Sequence, residues 1–389
     1  MAKKLIFLSS LFLISLLHAK AVITGAERLD QYLPLLKGKS VGLVVNQTSL
    51  VGKTHLVDTL IKSGVNIQRI FAPEHGFRGT ADAGEHIENG QDPITKIPIT
   101  SLYGDNNKPK PEQLKDVDII IFDIQDVGVR FYTYISTLHF LMDACIENNK
   151  HLIVLDRPDP NGHYVDGPMM DAQYSSFIGL DPIPIVHGMT VGEYAKMLNG
   201  EGWLKNKGLC TLTVIPCLNY DHKTFYNLPV KPSPNLPNMT AIYLYPSLCF
   251  FERCNNMSVG RGTGKQFQLY GSDRFKDTLP FSFIVESKPG AKTPPLLGKK
   301  CYGYDLSVLC TEDLRKQKFT LKYLLNAYKL YPDKNDFFFN SFVNFAGNEK
   351  LENQIKDGLS EKQIRASWQE GLQKFKGIRK KYLLYKDFE

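Results

Sequence analysis

The sequence predicts an α/β protein: a Rossmann-like domain with a doubly wound, mainly parallel sheet, and a second, smaller α/β domain. Short apolar segments alternate with helical ones in the first half of the 389-residue chain. The run of residues 119–122 is apolar throughout, as expected for a parallel strand buried on both faces. After about residue 265 this alternation changes. We therefore expect a domain over 22–264, a smaller one over 265–389, and a cleft between them.

The individual elements follow from hydrophobic periodicity and from turn residues. The strands predicted for the first domain are 40–45, 67–71, 97–101, 118–124, 151–156, 212–216 and 241–245. Helices are predicted at 53–63, 133–148 and 191–199, the last opened by a capping box of Thr190 and Glu193. In the second domain we predict strands 281–285 and 302–309 and helices 321–328 and 360–380, the latter capped by Ser360 and Gln363.

The first 21 residues have the composition of a secretory signal peptide. Lys3 and Lys4 precede an apolar stretch over 5–17, and Ala19-Lys20-Ala21 has the small-x-small form of a cleavage site. The stretch is too short to span a membrane, and with no cysteine near the cut a lipid anchor is not indicated. We expect cleavage near Ala21 and an exported protein, periplasmic in a Gram-negative cell, without a stable membrane anchor.

Charge and cysteine content exclude several classes of partner. Residues 1–21 hold three lysines and no acids, so the formal net charge falls from +7 to +4 without them. So mild a charge argues against nucleic acid as a partner. The seven cysteines include no C-x-x-C pair and lack zinc-type spacing with histidines. We expect no metal and no cofactor; the sequence does not identify a disulfide pair.

The block from Ala72 to Gly79 is the strongest catalytic signal. It places Glu74, His75 and Arg78 within five positions, directly after a predicted strand. The carboxyl end of such a strand opens onto the ligand crevice of an α/β sheet. Glu74 is thus the first candidate for a catalytic carboxylate, against the alternative of a solvated polar turn.

Polar residues also follow the other predicted strands of this domain. Because parallel strands end at one edge of the sheet, we expect these residues to converge on one crevice. The candidates are Asn46, Asp123, Gln125, Asp126, Arg130, Tyr132, Asp156, Arg157 and Asn161. The structural alternative is that strand ends become polar anyway, since Asp, Asn, Gly and Pro form turns.

Carboxylates and arginines at this edge suggest the chemistry. Unless carboxylates oppose them, Arg78, Arg130 and Arg157 suit an anionic ligand. Glycoside hydrolysis usually needs two carboxyl groups, and Asp123 and Asp126 are candidate partners for Glu74. Either His75 or His187 could orient that carboxylate, although a lone histidine is more often structural.

Nucleotide chemistry has little support in the sequence. No G-x-G-x-x-G follows the first strand. The segment 260–265 resembles a phosphate loop, but Gln266 stands where Ser or Thr is needed and the first glycine is missing. A G-x-S-x-G nucleophile elbow is also absent.

Several segments are similar to the NamZ-type exo-β-N-acetylmuramidases (glycoside hydrolase family 171). The similar segments are 72–79, 122–134, 155–167, 183–203, 232–239 and 258–263. The resemblance implies a Rossmann-like domain plus a smaller α/β domain, and release of terminal N-acetylmuramic acid from the non-reducing end of peptidoglycan fragments (MurNAc-GlcNAc). It implies muramyl saccharides as partners, Glu74 as the catalytic residue, and Asn235, Glu252 and Arg261 as cleft residues.

One position departs from the family pattern, and the route at the anomeric carbon stays open. Arg253 stands where the family usually has glycine, which puts fine specificity in doubt. The lactyl carboxylate of muramic acid would be a partner for the arginines. Either a second carboxylate or the substrate's own 2-acetamido group could attack the anomeric carbon.

Two other classes remain as alternatives. A periplasmic binding protein for muramyl fragments would also have two α/β lobes around a cleft; it would bind without turnover. A Rossmann oxidoreductase is weakened by the missing glycine motif.

Overall fold

The computed structural model describes residues 20–77, 89–104, 106–205, 208–275 and 279–389. Its strands are β1 (Ser40–Val45), β2 (Leu50–Val51), β3 (Thr54–His55), β4 (Asn66–Ala72), β5 (Gly90–Gln91), β6 (Pro98–Ser101), β7 (Ile119–Asp123), β8 (His151–Leu155), β9 (Thr211–Ile215), β10 (Leu269–Ser272), β11 (Phe281–Ile284) and β12 (Lys300–Asp305).

Helices connect and cover these strands. The α-helices are α1 (Leu29–Leu36), α2 (Leu56–Lys62), α3 (Pro111–Leu114), α4 (Tyr134–Glu147), α5 (Val191–Glu201), α6 (Met239–Leu248), α7 (Thr311–Gln317), α8 (Lys322–Leu330), α9 (Phe342–Ala346), α10 (Lys350–Lys356), α11 (Glu361–Ala366) and α12 (Gln369–Arg379). Short 3₁₀ turns include Gly25–Glu27 and Cys249–Arg253. None of the helices in this described part combines the length and hydropathy needed to cross a bilayer.

The central sheet has seven strands in the order β5-β6-β4-β1-β7-β8-β9. All neighbouring pairs are parallel except β5 with β6. On β7, Ile120 and Phe122 enter one core with α4 and α5, whereas Ile119 and Ile121 enter a second core with α1 and α2. Both faces of β7 are therefore buried, which confirms the predicted doubly wound, mainly parallel sheet.

The second half of the chain forms a smaller α/β region. Its sheet has the order β10-β12-β11 and is antiparallel, with Tyr270 opposite Tyr304. Its helices share one core with the α4 side of the central sheet, and Phe131 stacks on Phe345 with ring centroids 5.3 Å apart. The shared core fixes the two halves against each other around the site.

Most predicted elements are confirmed, but the strand predicted at 241–245 is wrong. These residues lie in α6, where the Asn238 side chain caps the helix by accepting a hydrogen bond from Ala241 N at 3.0 Å. The helix is buried almost all round, so its sequence has little helical periodicity. A short apolar run cannot by itself distinguish a buried helix from a strand.

Three other elements differ from the prediction by more than two residues at one end or in number. The first residues of the segment 53–63 belong to the turn and the second strand of the β2–β3 hairpin, and α2 starts only at Leu56. The strand predicted over 302–309 ends at Asp305, whose carboxylate accepts hydrogen bonds from the backbone and side chain of Ser307. The single helix predicted over 360–380 is two helices, α11 and α12, separated at Ser367 and Trp368.

Candidate active site

A sharp turn after β4 carries Glu74 and His75 out of the sheet. Gly76 N donates to Pro73 O at 2.9 Å and closes the turn. Both His75 and Gly76 have positive φ, 69° and 77°. Glycine adopts this conformation freely, whereas for histidine it costs free energy. The strained turn directs Glu74 into a cavity instead of leaving it in solvent.

The cavity has a volume of about 260 Å³ and lies between the carboxyl edge of the central sheet and the second half of the chain. Its polar lining consists of Glu74, His75, Thr133, Ser233, Asn235, Glu252, Arg253 and Arg261. Its aromatic lining consists of Tyr103, Phe131, Tyr132, Phe177, Tyr245, Phe267 and Phe345. Aromatic walls with a few converging polar groups are typical of small-ligand sites.

Glu74 is positioned by the residue that precedes α4. Thr133 Oγ1 donates a hydrogen bond of 2.7 Å to Glu74 Oε2. This bond joins the turn after β4 to the start of the helix after β7. It fixes one carboxylate oxygen, so the carboxylate cannot rotate freely within the cavity.

Glu252 is the second carboxylate of the lining, and it forms a bidentate pair with Arg261. Arg261 Nε and Nη2 lie 2.5 and 3.0 Å from the two Glu252 carboxylate oxygens. Burial alone would lower the pKa of Arg261, but the Glu252 carboxylate raises it above its ordinary value. The guanidinium and the carboxylate form a bidentate ion pair, which is electrically neutral as a unit.

Asn235 and Arg253 present polar atoms to the same cavity. Asn235 Nδ2 donates to Gly290 O at 2.8 Å, while its buried Oδ1 has no hydrogen-bond partner among the described residues. Arg253 is half-buried, and its Cζ lies 4.8 Å from the centroid of the Phe345 ring. Of the two side chains, Arg253 leaves a set of N–H donors available to a ligand.

The strand ends converge as predicted, but many of their polar groups bond to one another. Gln125 N donates to Thr48 Oγ1 at 3.0 Å, and Gln125 Nε2 donates to Pro158 O at 2.7 Å. Asn46 Oδ1 accepts from both N and Oγ1 of Thr48. Asn46 and Gln125 thus hydrogen-bond the loops behind the cavity to one another, and neither residue lines the cavity.

Asp126 lies in the same supporting layer, away from the cavity lining. Its Oδ1 accepts from Gly128 N at 2.7 Å. Burial raises the pKa of Asp126 to about 7, although the backbone N–H groups of Gly128 and Val127 lower it. A Cβ on Gly128 would lie 2.2 Å from Asp159 Oδ2, so only glycine fits beneath this second buried carboxyl. The geometry gives no support to a catalytic contact of Asp126 with substrate.

Two of the three arginines predicted to bind an anion are bonded to protein groups instead. Arg157 is paired bidentately with Asp123, at 2.6 and 2.9 Å. Arg130 is fully buried and donates to the carbonyls of Pro168, Ile183, Phe345 and Ala346. Neither guanidinium lines the cavity, and Arg78 lies outside the described residues.

Two further residues that were predicted to bind substrate, Asn161 and His187, are buried among other protein groups. Asn161 Nδ2 donates to Val127 O at 2.8 Å. His187 Nδ1 accepts from Met189 N at 3.3 Å, and burial lowers the pKa of His187 to about 3. His187 is therefore neutral at physiological pH. Both side chains position backbone around the site, and neither lines the cavity.

Six of the residues predicted from the sequence line the cavity: Glu74, His75, Tyr132, Asn235, Glu252 and Arg261. Thr133 lines it without having been predicted, although it directly follows the polar block after β7. Tyr103, Phe177 and Phe345 also line it; they come from separate loops and helices and share no local sequence pattern. Within the described residues no three His, Cys, Asp or Glu side chains come together as a metal site.

The fold and the site define a two-part α/β protein with a carboxylate-bearing cavity at the junction of its parts. Comparisons with known proteins identify the family. The family model described as "Exo-beta-N-acetylmuramidase NamZ, N-terminal" matches residues 41–240, and its C-terminal counterpart matches 243–385. This chain belongs to the NamZ exo-β-N-acetylmuramidase family and is a glycosidase.

Individual relatives agree with this assignment over nearly the whole chain. The peptidoglycan β-N-acetylmuramidase NamZ of Bacillus subtilis is 38% identical over 390 residues, covering 94% of this chain and 91% of the relative. A crystal structure of a DUF1343 family protein from Bacteroides fragilis has 47% identity and a TM-score of 0.88, covering 95% of this chain and 100% of that one. A second such protein has 29% identity and a TM-score of 0.79, covering 94% and 99%.

Proposed function

We propose that this protein is an exo-β-N-acetylmuramidase that releases terminal N-acetylmuramic acid from the non-reducing end of peptidoglycan fragments. One observation carries the proposal: Glu74, oriented by Thr133, lies in an aromatic-walled cavity at the junction of the two parts of a NamZ-family chain. The relative from Bacillus subtilis carries the name of this activity.

The size of the cavity fits removal of one terminal sugar. At about 260 Å³ it lies near the lower end of small-ligand pockets, roughly 300 Å³. A cavity of this size holds one substituted hexosamine, and the rest of the glycan extends away from it. Cleavage at chain ends is the expected consequence.

Glu74 acts as the general acid. Its carboxyl group donates a proton to the glycosidic oxygen as the bond from that oxygen to C1 breaks, and the GlcNAc side leaves as an alcohol. Water then supplies the hydroxyl group at C1, and its proton returns to Glu74. The net change is hydrolysis of one glycosidic bond.

The cavity offers two routes for the attack at C1. Glu252 is the second carboxylate of the lining, held by Arg261. Alternatively the 2-acetamido oxygen attacks, and Asn235, which lines the cavity, is the residue we assign to align that group. Substrates with electron-poor N-fluoroacetyl groups distinguish the two routes. The fluorinated acetamido group is a weaker nucleophile, so fluorination slows hydrolysis only if the acetamido oxygen attacks C1.

Product analysis tests the proposed activity. MurNAc-GlcNAc and a longer MurNAc-terminated fragment are incubated with the protein, and a GlcNAc-terminated fragment is the control. The proposal predicts free MurNAc from the first two and no product from the third. Binding of MurNAc-GlcNAc without release of any sugar would instead support the binding-protein alternative, which the family assignment does not favour.

We also propose that the chain is exported, to the periplasm or the medium, after removal of residues 1–21. The support is the sequence of that segment, with Lys3 and Lys4, an apolar stretch over 5–17 and the small-x-small site ending at Ala21. Fractionation of cells expressing the full chain, and a variant lacking residues 2–21, tests it. Export of both forms, or of neither, would contradict it.

A further inference from the structure

We infer that Arg253 binds the lactyl carboxylate of the muramyl residue and so adds, in this chain, to the selectivity for muramic acid over N-acetylglucosamine. The inference rests on the proposed function and names one residue that recognises its substrate. The lactyl group carries a carboxylate that N-acetylglucosamine lacks. An arginine facing that carboxylate would discriminate between the two sugars by charge and by bidentate hydrogen bonding.

The other described arginines near the site are already occupied. The guanidinium of Arg157 is paired with Asp123, and that of Arg130 is surrounded by backbone carbonyls. Arg261 lines the cavity, but both of its hydrogen bonds to Glu252 hold it in a bidentate pair. None of these three guanidinium groups can pair with a second carboxylate without losing its present partner.

Arg253 is placed differently. It lines the cavity, and among the described residues its side chain makes one hydrogen bond, from Nη1 to Glu252 O at 3.2 Å. No carboxylate of the described residues lies within ion-pair distance of it. A guanidinium has five N–H donors in a rigid fork, so most of its donors remain available.

The surroundings of Arg253 favour an anion. Glu252 and Arg261 neutralise each other, so these three neighbouring side chains have a net charge of +1. The Arg253 guanidinium lies against the Phe345 ring, which also lines the cavity and restricts the side chain. Preorganised donors beside a cavity wall need little reorganisation to accept a carboxylate.

The test compares a substrate with and without this charge. The probes are chromogenic β-N-acetylmuramide and its lactyl primary amide, which has nearly the same shape and no charge. The variants are Arg253→Met, which keeps an unbranched apolar stem against Phe345, and Arg253→Lys. The control is Arg274→Met, because Arg274 is an exposed arginine outside the cavity lining.

For Arg253→Met we expect kcat/KM on the acid to fall roughly 10- to 100-fold while the amide is little affected. The acid-to-amide ratio then falls by the same factor; Arg253→Lys keeps part of the preference, and Arg274→Met keeps all of it. An unchanged ratio in a folded Arg253→Met variant would overturn the inference.

Calorimetric binding of free MurNAc and its lactyl amide separates this inference from the proposed function. If the wild type hydrolyses neither probe but binds the acid more tightly than the amide, and Arg253→Met abolishes that difference, the hydrolase proposal fails and the Arg253 inference stands. If both probes are hydrolysed yet neither binding nor the kcat/KM ratio depends on Arg253, the proposed function stands and the inference fails.

Discussion

Thr133 Oγ1 donates a 2.7 Å hydrogen bond to Glu74 Oε2 and so couples the turn after β4 to the start of α4. The two residues are 59 positions apart in the chain and meet because β4 and β7 both flank β1 in the sheet. The sheet topology thus orients the carboxylate on which the proposed chemistry depends.

Removing this hydrogen bond should slow the reaction without weakening substrate binding. In Thr133→Val the carboxylate loses the Thr133 hydrogen bond and gains rotational freedom, so we expect kcat to fall roughly 10-fold with KM nearly unchanged. Thr133→Ser, which keeps the hydroxyl, should restore most of kcat. Steady-state kinetics on the chromogenic muramide measures both, and equal losses in the Val and Ser variants would contradict the positioning role.

Breaking the Glu252–Arg261 pair should cost stability because it leaves a poorly solvated charge unpaired. The side chains are only 22% and 17% exposed. For Arg261→Met we expect a loss of roughly 1–3 kcal/mol in the free energy of unfolding. The double variant Glu252→Gln/Arg261→Met should recover part of that loss. Urea denaturation measures it, and a double variant that loses the sum of the two single effects would refute the coupling.

Arg130 should prove structural, contrary to the sequence-based prediction of a ligand. Its guanidinium bonds to four backbone carbonyls from both parts of the chain. For Arg130→Met we expect a loss of roughly 3 kcal/mol or more in the free energy of unfolding, since these buried acceptors lose their donor. KM of the folded fraction should stay unchanged. A large rise in KM at unchanged stability would show instead that Arg130 binds substrate.

The buried Asp126 should make stability depend on pH. Its pKa is raised by burial to about 7 in the folded protein, against an ordinary value of 3.8. The protonated form is therefore favoured by folding, and its contribution is fully present below about pH 4 and lost as pH rises through 7. Over that range the loss should reach roughly 3–4 kcal/mol.

The variant Asp126→Asn cannot ionise but keeps an acceptor for Gly128 N. We expect its melting temperature to fall less than that of the wild type between pH 5 and pH 8, with kcat at pH 6 nearly unaltered. Identical melting profiles would show that Asp126 does not hold its proton. A fall in kcat of several orders of magnitude would show instead that Asp126 takes part in catalysis.

The parallel sheet could be predicted because its strands are continuous apolar runs followed by polar turns. The same pattern, a polar turn directly after an apolar strand, also predicted Glu74 and His75 as site residues, because the turn and the strand are adjacent in the sequence. It failed for α6, where burial on nearly all sides hides the helical period from the sequence.

Which polar residues face the cavity could not be predicted locally. The strand ends do meet, but whether a guanidinium faces ligand or protein depends on partners far away in the sequence. Arg157 pairs with the carboxylate of Asp123, 34 positions away, and Arg130 donates to the backbone carbonyl of Phe345, 215 positions away. Arg253 faces the cavity because the turn Cys249–Arg253 packs against it, which follows from tertiary structure alone.

The most direct measurement is chromophore release from a β-N-acetylmuramide by wild type and Glu74→Gln, with the β-N-acetylglucosaminide as the control substrate. Glutamine keeps the shape of Glu74 and an acceptor for Thr133 but cannot donate the proton. We predict cleavage of the muramide alone and a fall in kcat of roughly 10²- to 10⁴-fold in the variant. Equal turnover by a folded Glu74→Gln variant would contradict the assignment of Glu74 as the catalytic acid.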